Sequence, residues 1–549
     1  MRTVLENEFY YLDNFHRVLE WISERYADLL TAEEHGFIAT FNALPQAARA
    51  LFVRMVMRKG TLFRASKLNY AEIGGTDEAA RPLLPTGWVA ADPVLTLDEL
   101  FDLLRKAEIG ALFQLSLHEK SARKLAQLDA LRSQFADPRP FSDWYRDSGD
   151  HVYRILAKPL CDRLRLIFFG NLQQDWTEFV LSDLGVFQYE QVEFSGAARG
   201  FRHRRDIDDY LALHACKELF HDGADLDQVL AALPPVVEDN AWLGSRRDRL
   251  LFQIAQHVEK QKDWPNAHAL YAQCRFPGAR GRAIRVLEKD GQYGPAFALF
   301  EQAMAAPESD AERQHLSRIG PRLQRRLGHV RATTRRPPSV QRLDLALPQP
   351  QTDWWVEGVV RDHLWRSDAP VFYVENALIN ALFGLLCWRA IFSAIPGAFF
   401  HPFHRGPADL HSADFYHRRE ADFCDCLHEL ESLAYQETIR TNYAQKHGIS
   451  SPFLMWEALS EELIELALAC IPPQHLKKWC ERILLDIKTN RSGFPDLIQF
   501  WPAEKRYQMI EVKGPGDRLQ DNQLRWIDYC AAHDMPISVC YLQWEVASA

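Results

Sequence analysis

Nothing in the 549 residues approaches the ~20 consecutive apolar residues of a membrane span. The opening stretch Met1-Arg-Thr-Val-Leu-Glu-Asn-Glu8 likewise has no apolar segment of the secretory kind. Both absences predict an intracellular protein that does not engage a membrane. Cysteine is sparse and scattered: ten residues, with no Cys-x-x-Cys and a single Cys424-x-Cys426. That spacing argues against a disulfide framework and fits reduced thiols. Positive charge is not in surplus either, because 64 Lys and Arg face 74 Asp and Glu for a net charge of −10. A surface basic throughout would mark nucleic-acid binding, so any such contact has to come from local clusters offset by acidic surface elsewhere. What remains is an ordinary globular composition, 47% hydrophobic and 25% charged. At ~150 residues per domain the length predicts three or four domains.

The most informative stretch lies near the end. Phe494-Pro-Asp-Leu-Ile-Gln-Phe-Trp501 and Arg506-Tyr-Gln-Met-Ile-Glu-Val-Lys-Gly514 are β-branched and aromatic runs separated by Pro502, Ala503, Glu504 and Lys505, which predicts a β-hairpin. Asp496 opens the first strand. Glu511 and Lys513 stand two apart on the second, so the pleat turns both to one face, and pairing brings Asp496 beside them. Carboxylates are hard oxygen ligands suited to magnesium or manganese, and a nearby lysine can orient water or counter charge on a phosphate. An alternating strand with one solvated side would carry polar residues at the same positions. Arg491-Ser492-Gly493 and Gly514-Pro-Gly-Asp517 read as tight turns on either side. Residues 521–530 then read as an amphipathic helix with Leu524, Ile527 and Cys530 on its apolar side, and Ile537-Ser-Val-Cys-Tyr-Leu542 as another strand.

This strand, strand, helix, strand unit resembles the PD-(D/E)xK nuclease core in its VRR-NUC version. There a Lys-Gly turn leads into a helix of the pattern Asn-Gln-x-x-Trp-Ile-x-Tyr, here Asn522, Gln523, Trp526, Ile527 and Tyr529. The resemblance implies that Gln523 faces the metal centre or the substrate strand. It also implies a glutamate from the first core helix, which maps onto Glu375. In Ala369-Pro-Val-Phe-Tyr-Val-Glu-Asn-Ala-Leu-Ile-Asn-Ala-Leu-Phe-Gly384, read as the start of a buried helix, Glu375 interrupts an apolar run and requires a partner. A place at a helix amino terminus, where the dipole favours it, is the alternative. The long separation from Asp496 predicts a helical insertion. His401, His404, His411, His417, Cys424, Cys426 and His428 fall within it, at spacings that match no compact structural zinc pattern.

Earlier segments are helical and locally basic. Residues 9–30 carry Leu12, Phe15, Leu19, Ile22, Tyr26 and Leu29 at helical spacing, a core-facing stripe. Residues 44–60 predict a helix; Arg49, Arg54, Arg58, Lys59, Arg64 and Lys67 form a carboxylate-free basic run, a candidate phosphate-binding face or a solvated one. Residues 94–134 read as two helices, the first opened by the capping box Thr96-Leu-Asp-Glu99, and together they resemble a SAP module. Residues 145–190 are a mixed segment, apolar at its end and expected to pack as a connector. A second basic cluster follows at Arg199, Arg202, His203, Arg204 and Arg205, with a surface loop as the bland reading. Residues 207–305 read as helical, and 263–272 superimposes on 291–300 at an offset of 29, aligning Trp264 with Tyr293. Such recurrence resembles tetratricopeptide-type repeats. Between 312 and 342 stand Arg313, Arg318, Arg322, Arg325, Arg326, Arg331, Arg335, Arg336 and Arg342 against one acid, Glu312, predicting a linker or a DNA-contacting strap.

The expected architecture is thus multidomain and mostly α-helical, with a C-terminal α/β nuclease core: 1–70 an N-terminal helical DNA-binding region, 71–190 a SAP-like domain and connector, 191–330 a TPR-like repeat domain and 331–549 the VRR-NUC domain with its insertion. This order resembles the Fanconi-associated nuclease family over nearly the whole chain, in a compact form without the ubiquitin-binding finger of animal members. The resemblance implies a 5′-flap endonuclease and 5′ to 3′ exonuclease acting on branched and crosslinked DNA in interstrand-crosslink repair. It would be cytoplasmic and nucleoid-associated in a bacterium or nuclear in a eukaryote. Its implied site is one or two Mg²⁺ or Mn²⁺ ions on Glu375, Asp496, Glu511 and the carbonyl of Val512, with Lys513 orienting water. A non-cleaving scaffold for branched DNA and a resolvase or restriction-type nuclease are the alternatives.

Overall fold

The computed structural model describes residues 7–116, 121–174, 178–179, 187–194, 198–236, 240–328, 340–351 and 354–545. Arg331, Arg335 and Arg336 lie outside the described residues. The chain divides into two compact units, Met1–Phe187 with Arg199–Ile207, and Gln188–Ala198 with Asp208–Ala549.

In the first unit the stripe predicted for residues 9–30 is buried on the helix Tyr10–Tyr26, which gives way to a short 3₁₀ turn at Ala27–Leu29. The helix predicted over 44–60 is shorter, Gln46–Val56, because Pro45 stands at its N-cap and Gly60 takes a positive φ. Strand Leu62–Arg64 pairs with Val152–Ile155, which also pairs with Val89–Ala91. That sheet joins residues on both sides of the boundary expected at 70. Among the described residues three helices stand where two were expected, Leu97–Leu103, Lys106–Leu112 and Lys124–Arg132. They close on an apolar centre of Leu100, Phe101, Ile109, Leu128 and Trp144, and Thr96 and Glu99 form the predicted capping box.

The second unit begins as a helical stack. Ala241–Lys260, Trp264–Ala272, Ala279–Lys289, Tyr293–Ala305 and Asp310–Arg326 each pack on the next, as repeat helices do. Trp264 and Tyr293 both open a helix, which accounts for their alignment. The arginine-rich stretch from 312 is helical as far as Arg326 rather than a linker, because Leu316, Ile319 and Leu323 bury one face at helical spacing.

A five-stranded sheet follows: β1 Gln341–Leu347, β2 Val371–Tyr373, β3 Leu497–Trp501, β4 Arg506–Lys513 and β5 Ile537–Trp544, in spatial order β1-β5-β4-β3-β2. The predicted hairpin is β3 and β4, antiparallel with Leu497 opposite Ile510. β5 is parallel to both β4 and β1, and β2 forms the antiparallel far edge. Side chains alternate: Leu497, Ile510, Val512 and Cys540 join Val360 of helix α1, Val356–Leu364, on one side. Ile498, Phe500, Met509 and Val539 face the other, with Leu382 of α2, Leu378–Leu386, and Trp526 of α3, Asp521–Ala532. The insertion expected before Asp496 is helical, including Ala434–Gln445, Glu461–Cys470 and Pro473–Leu485. Among the described residues no helix is long and apolar enough to cross a membrane.

Candidate active site

Asp496 is fixed from both sides. Its carbonyl accepts a hydrogen bond of 2.8 Å from Val374 N at the end of β2, and its Oδ2 accepts one of 2.8 Å from Val512 N on β4. The hairpin register carries Glu511 next to it, and the pleat puts Lys513 on the same face with Nζ 2.7 Å from Glu511 Oε1. Lys513 is thus the ion-pair partner of Glu511, and no further donor reaches either carboxylate oxygen although the side chain is fully buried. The turn before Asp496 is shaped by Gly493, whose φ is +91° and whose position admits no side chain: a Cβ would lie 2.8 Å from the carbonyl carbon of Asn522.

Glu375 stands not within a helix but just ahead of one, near the amino-terminal place that was the alternative. The segment 369–384 opens with β2 instead of a helix, and Glu375 lies exposed in the turn between β2 and α2. Its partners are Tyr373, whose hydroxyl donates to Oε2 over 2.6 Å, and the Asn376 amide, 3.2 Å from Oε1. Asn376 and Asn380 escaped the sequence reading. Asn376, at φ +52°, accepts the amides of Gly493 and Phe494 at 2.9 and 3.3 Å. Asn380 donates to the carbonyls of Asn376 and Arg491 at 2.7 and 2.9 Å. The two asparagines thereby tie the turn holding Glu375 to the loop that delivers Asp496. Their signal was two amides four apart inside an otherwise apolar run.

Electrostatics set the two buried acids apart from an ordinary carboxylate. Burial, with help from Glu357 and Glu375, pushes Asp496 up to about 6 against the opposing Val512 amide and Lys513. Burial and the charge of Asp496 push Glu511 up to about 8, opposed by Lys513. Two buried carboxylates with a single lysine to offset them suit a hard divalent cation, whose charge would remove the penalty. Among the described residues no three His, Cys, Asp or Glu groups are already gathered into a cage, in keeping with Glu375 being turned toward Tyr373. The insertion's His401 and His404 are a buried ring pair 4.1 Å apart, burial depressing both.

Other predicted contacts are engaged internally. Gln523 caps its own helix, its Oε1 accepting from Gln520 N at 2.8 Å. Arg54 pairs with Glu72 at 2.6 Å, Arg64 with Glu108 and Asp150 at 2.6 and 2.7 Å, and Arg204 with Glu34 at 2.5 Å. Each of these three arginines thus has an acidic partner within its own unit. Arg58, Lys59, Lys67, Arg202 and Arg205 are exposed.

Three family models match the chain: the FAN1 HTH domain over residues 9–90, the Fanconi anemia-associated nuclease SAP domain over 94–144 and the VRR-NUC domain over 430–544. A Fanconi-associated nuclease 1 homolog of Pseudomonas aeruginosa is 56% identical over 542 residues, spanning 99% of this chain and 97% of that protein. The crystal structure of paFAN1 bound to 2-nucleotide 5′-flap DNA with a gap superimposes with a TM-score of 0.93 at 55% identity, over 99% of this chain and 100% of that one. Its counterpart with a 1-nucleotide 5′ flap gives 0.91 at 56% identity, over 98% and 100%.

Proposed function

Because the chain belongs to the Fanconi-associated nuclease family, we propose that it is a structure-selective, metal-dependent DNA nuclease that recognises and cuts 5′-flap DNA. The observation that carries this reading is the buried pair Asp496 and Glu511 beside Lys513, with no donor other than Lys513 reaching the Glu511 oxygens. A scaffold that only held DNA would keep two costly buried acids for no return.

We assign one or two Mg²⁺ or Mn²⁺ ions to Glu375, Asp496, Glu511 and the Val512 carbonyl. Bound there, the metal supplies Lewis-acid stabilisation of the phosphoryl oxygens and a lowered pKa for water. The chain's own groups do the rest. The Val512 amide holds Asp496 in one orientation. Lys513 keeps a positive charge against Glu511, where it orients the attacking water and offsets charge growing on the phosphate. Water attacks phosphorus, one P–O ester bond breaks, and the leaving oxygen takes a proton. Tyr373 steadies Glu375 through its 2.6 Å hydrogen bond. Arg58, Lys59, Lys67, Arg202 and Arg205 supply phosphate contacts that carry no sequence preference.

A 5′ to 3′ exonuclease activity, a role in interstrand-crosslink repair and a place at the bacterial nucleoid accompany this reading. The test is cleavage of an end-labelled 5′-flap duplex by wild type and Lys513→Ala with Mg²⁺, Mn²⁺ or EDTA. Metal-dependent cuts near the junction that vanish in the variant, with flap binding retained, are expected. Binding with no cutting by either protein would replace the reading with a scaffold.

A further inference from the structure

On the outer edge of the nuclease sheet, next to Glu375, the chain exposes aromatic surface that its own fold does not use. Trp365, which ends α1, is 53% exposed, and Tyr373, on edge strand β2, is 42% exposed. Both line a recess of about 590 Å³ floored by Val371, Phe372 and Ala458 and walled by Arg361 and Asp362. Isolated exposed apolar side chains are ordinary, but two large rings lining one recess at a catalytic edge are a binding feature. The recess is continuous with the metal ligands, because the Tyr373 hydroxyl that borders it donates to Glu375 Oε2 at 2.6 Å.

The chemistry of the walls selects the occupant. Arg361 is held by its neighbour Asp362, with Nε 2.8 Å from Oδ1, so the recess offers little net positive charge and a bare phosphate gains little there. With the Arg361 guanidinium already over Trp355, two aromatic rings and an apolar lining remain, and these suit the flat face of a nucleobase. Bases within a duplex are stacked and cannot enter, whereas an unpaired one can. We propose that this shelf receives an unpaired base of the strand being cut, one or two nucleotides from the scissile phosphate, and so fixes where the cut falls relative to the junction. The inference rests on the nuclease reading above. Trp365 touches the base; Tyr373 joins the shelf to Glu375, so the base and the metal ligands are registered to one another.

The experiment is a scan of the 5′-flap substrate with a single abasic nucleotide moved stepwise through the cut strand. Wild type is expected to slow about tenfold at one position beside the scissile bond and to shift its cuts there. Trp365→Ala is expected to cut the intact flap at that reduced rate and to ignore the lesion at that position, while Trp365→Phe restores both speed and sensitivity. A wild-type rate indifferent to every lesion position, or a Trp365→Ala enzyme as sensitive as wild type, overturns the shelf alone. The wild-type scan holds whether or not a variant folds. Absence of any metal-dependent cutting of the intact flap by wild type instead brings down the nuclease reading, and the shelf with it.

Discussion

Two fully buried glutamates, one in each unit, show how differently one fold can treat a buried acid. Glu34 sits among partners: Arg163 Nε at 2.9 Å, Arg204 at 2.5 Å and the amide of Thr31 at 2.8 Å. Burial pushes its pKa up, but Arg204, that amide and Arg163 outweigh burial and leave it below the usual carboxylate range. Glu511 is equally buried, has Lys513 as its one partner, and is pushed up to about 8 by burial and the charge of Asp496. The first is an anchor, and the second is a buried acid that its one lysine only partly offsets. Burial alone therefore says little about an acid; its count of satisfied oxygens says much more.

The largest expected effect tests the partly offset acid. Glu511→Gln should lower flap cleavage by about 10³-fold or more, measured under single-turnover conditions, with binding nearly unchanged. Its effect on stability should run the other way. The folded pKa of Glu511 lies above its unfolded value, so the metal-free fold holds more protons than the unfolded chain, and its stability rises as pH falls from about 8 toward the ordinary carboxylate range. Melting in EDTA across that interval should show this slope in wild type and a weakened one in Glu511→Gln, with the remainder from Asp496. A Glu511→Gln protein much less stable than wild type at pH 8 would mean the carboxylate is fully offset after all.

The anchor predicts the reverse pattern. Glu34→Gln leaves Arg163 and Arg204 without their shared charge and should cost about 2–3 kcal/mol by denaturant unfolding, less than a wholly buried pair because both arginines are partly exposed. Cleavage per folded molecule should stay within about twofold. At the bottom of the scale lies Asp521, paired to Arg318 at 2.6 Å with both side chains about half exposed. Asp521→Asn should shift stability by less than about 1 kcal/mol, in the same unfolding assay. A loss as large as that of Glu34→Gln would show that partner count, independent of burial, sets the ranking.

Much of the catalytic hairpin was legible because it obeys one rule, period two, that needs no partner to be read: Asp496, Glu511 and Lys513 share a face as the pleat requires. The capping box at Thr96 and the repeat-like helix starts at Trp264 and Tyr293 were legible for the same local reason. Glu375 was read onto a helix because Val371-Phe-Tyr373 is too short to declare itself a strand until β3 lies beside it. The arginine clusters hid pairings of their own. Arg54, Arg64 and Arg204 find acids 18 to 170 residues away in sequence, at Glu72, Glu108, Asp150 and Glu34, and composition cannot reveal a partner brought by folding. Asn376 and Asn380 act through backbone groups of a distant loop, which leaves no trace in a motif.

The parallel pairing of β1 with β5 has a consequence in time. These strands lie roughly 200 residues apart, and contacts of such high sequence separation form late because loop closure has to come first. The neighbouring β4 carries Glu511 and Lys513, and it emerges long after the first unit has been synthesised. At ribosomal speeds of about 5–20 residues per second, the first unit is complete tens of seconds before β4 is made. A nascent chain can therefore fold its first unit while it still has no active site with which to damage a chromosome.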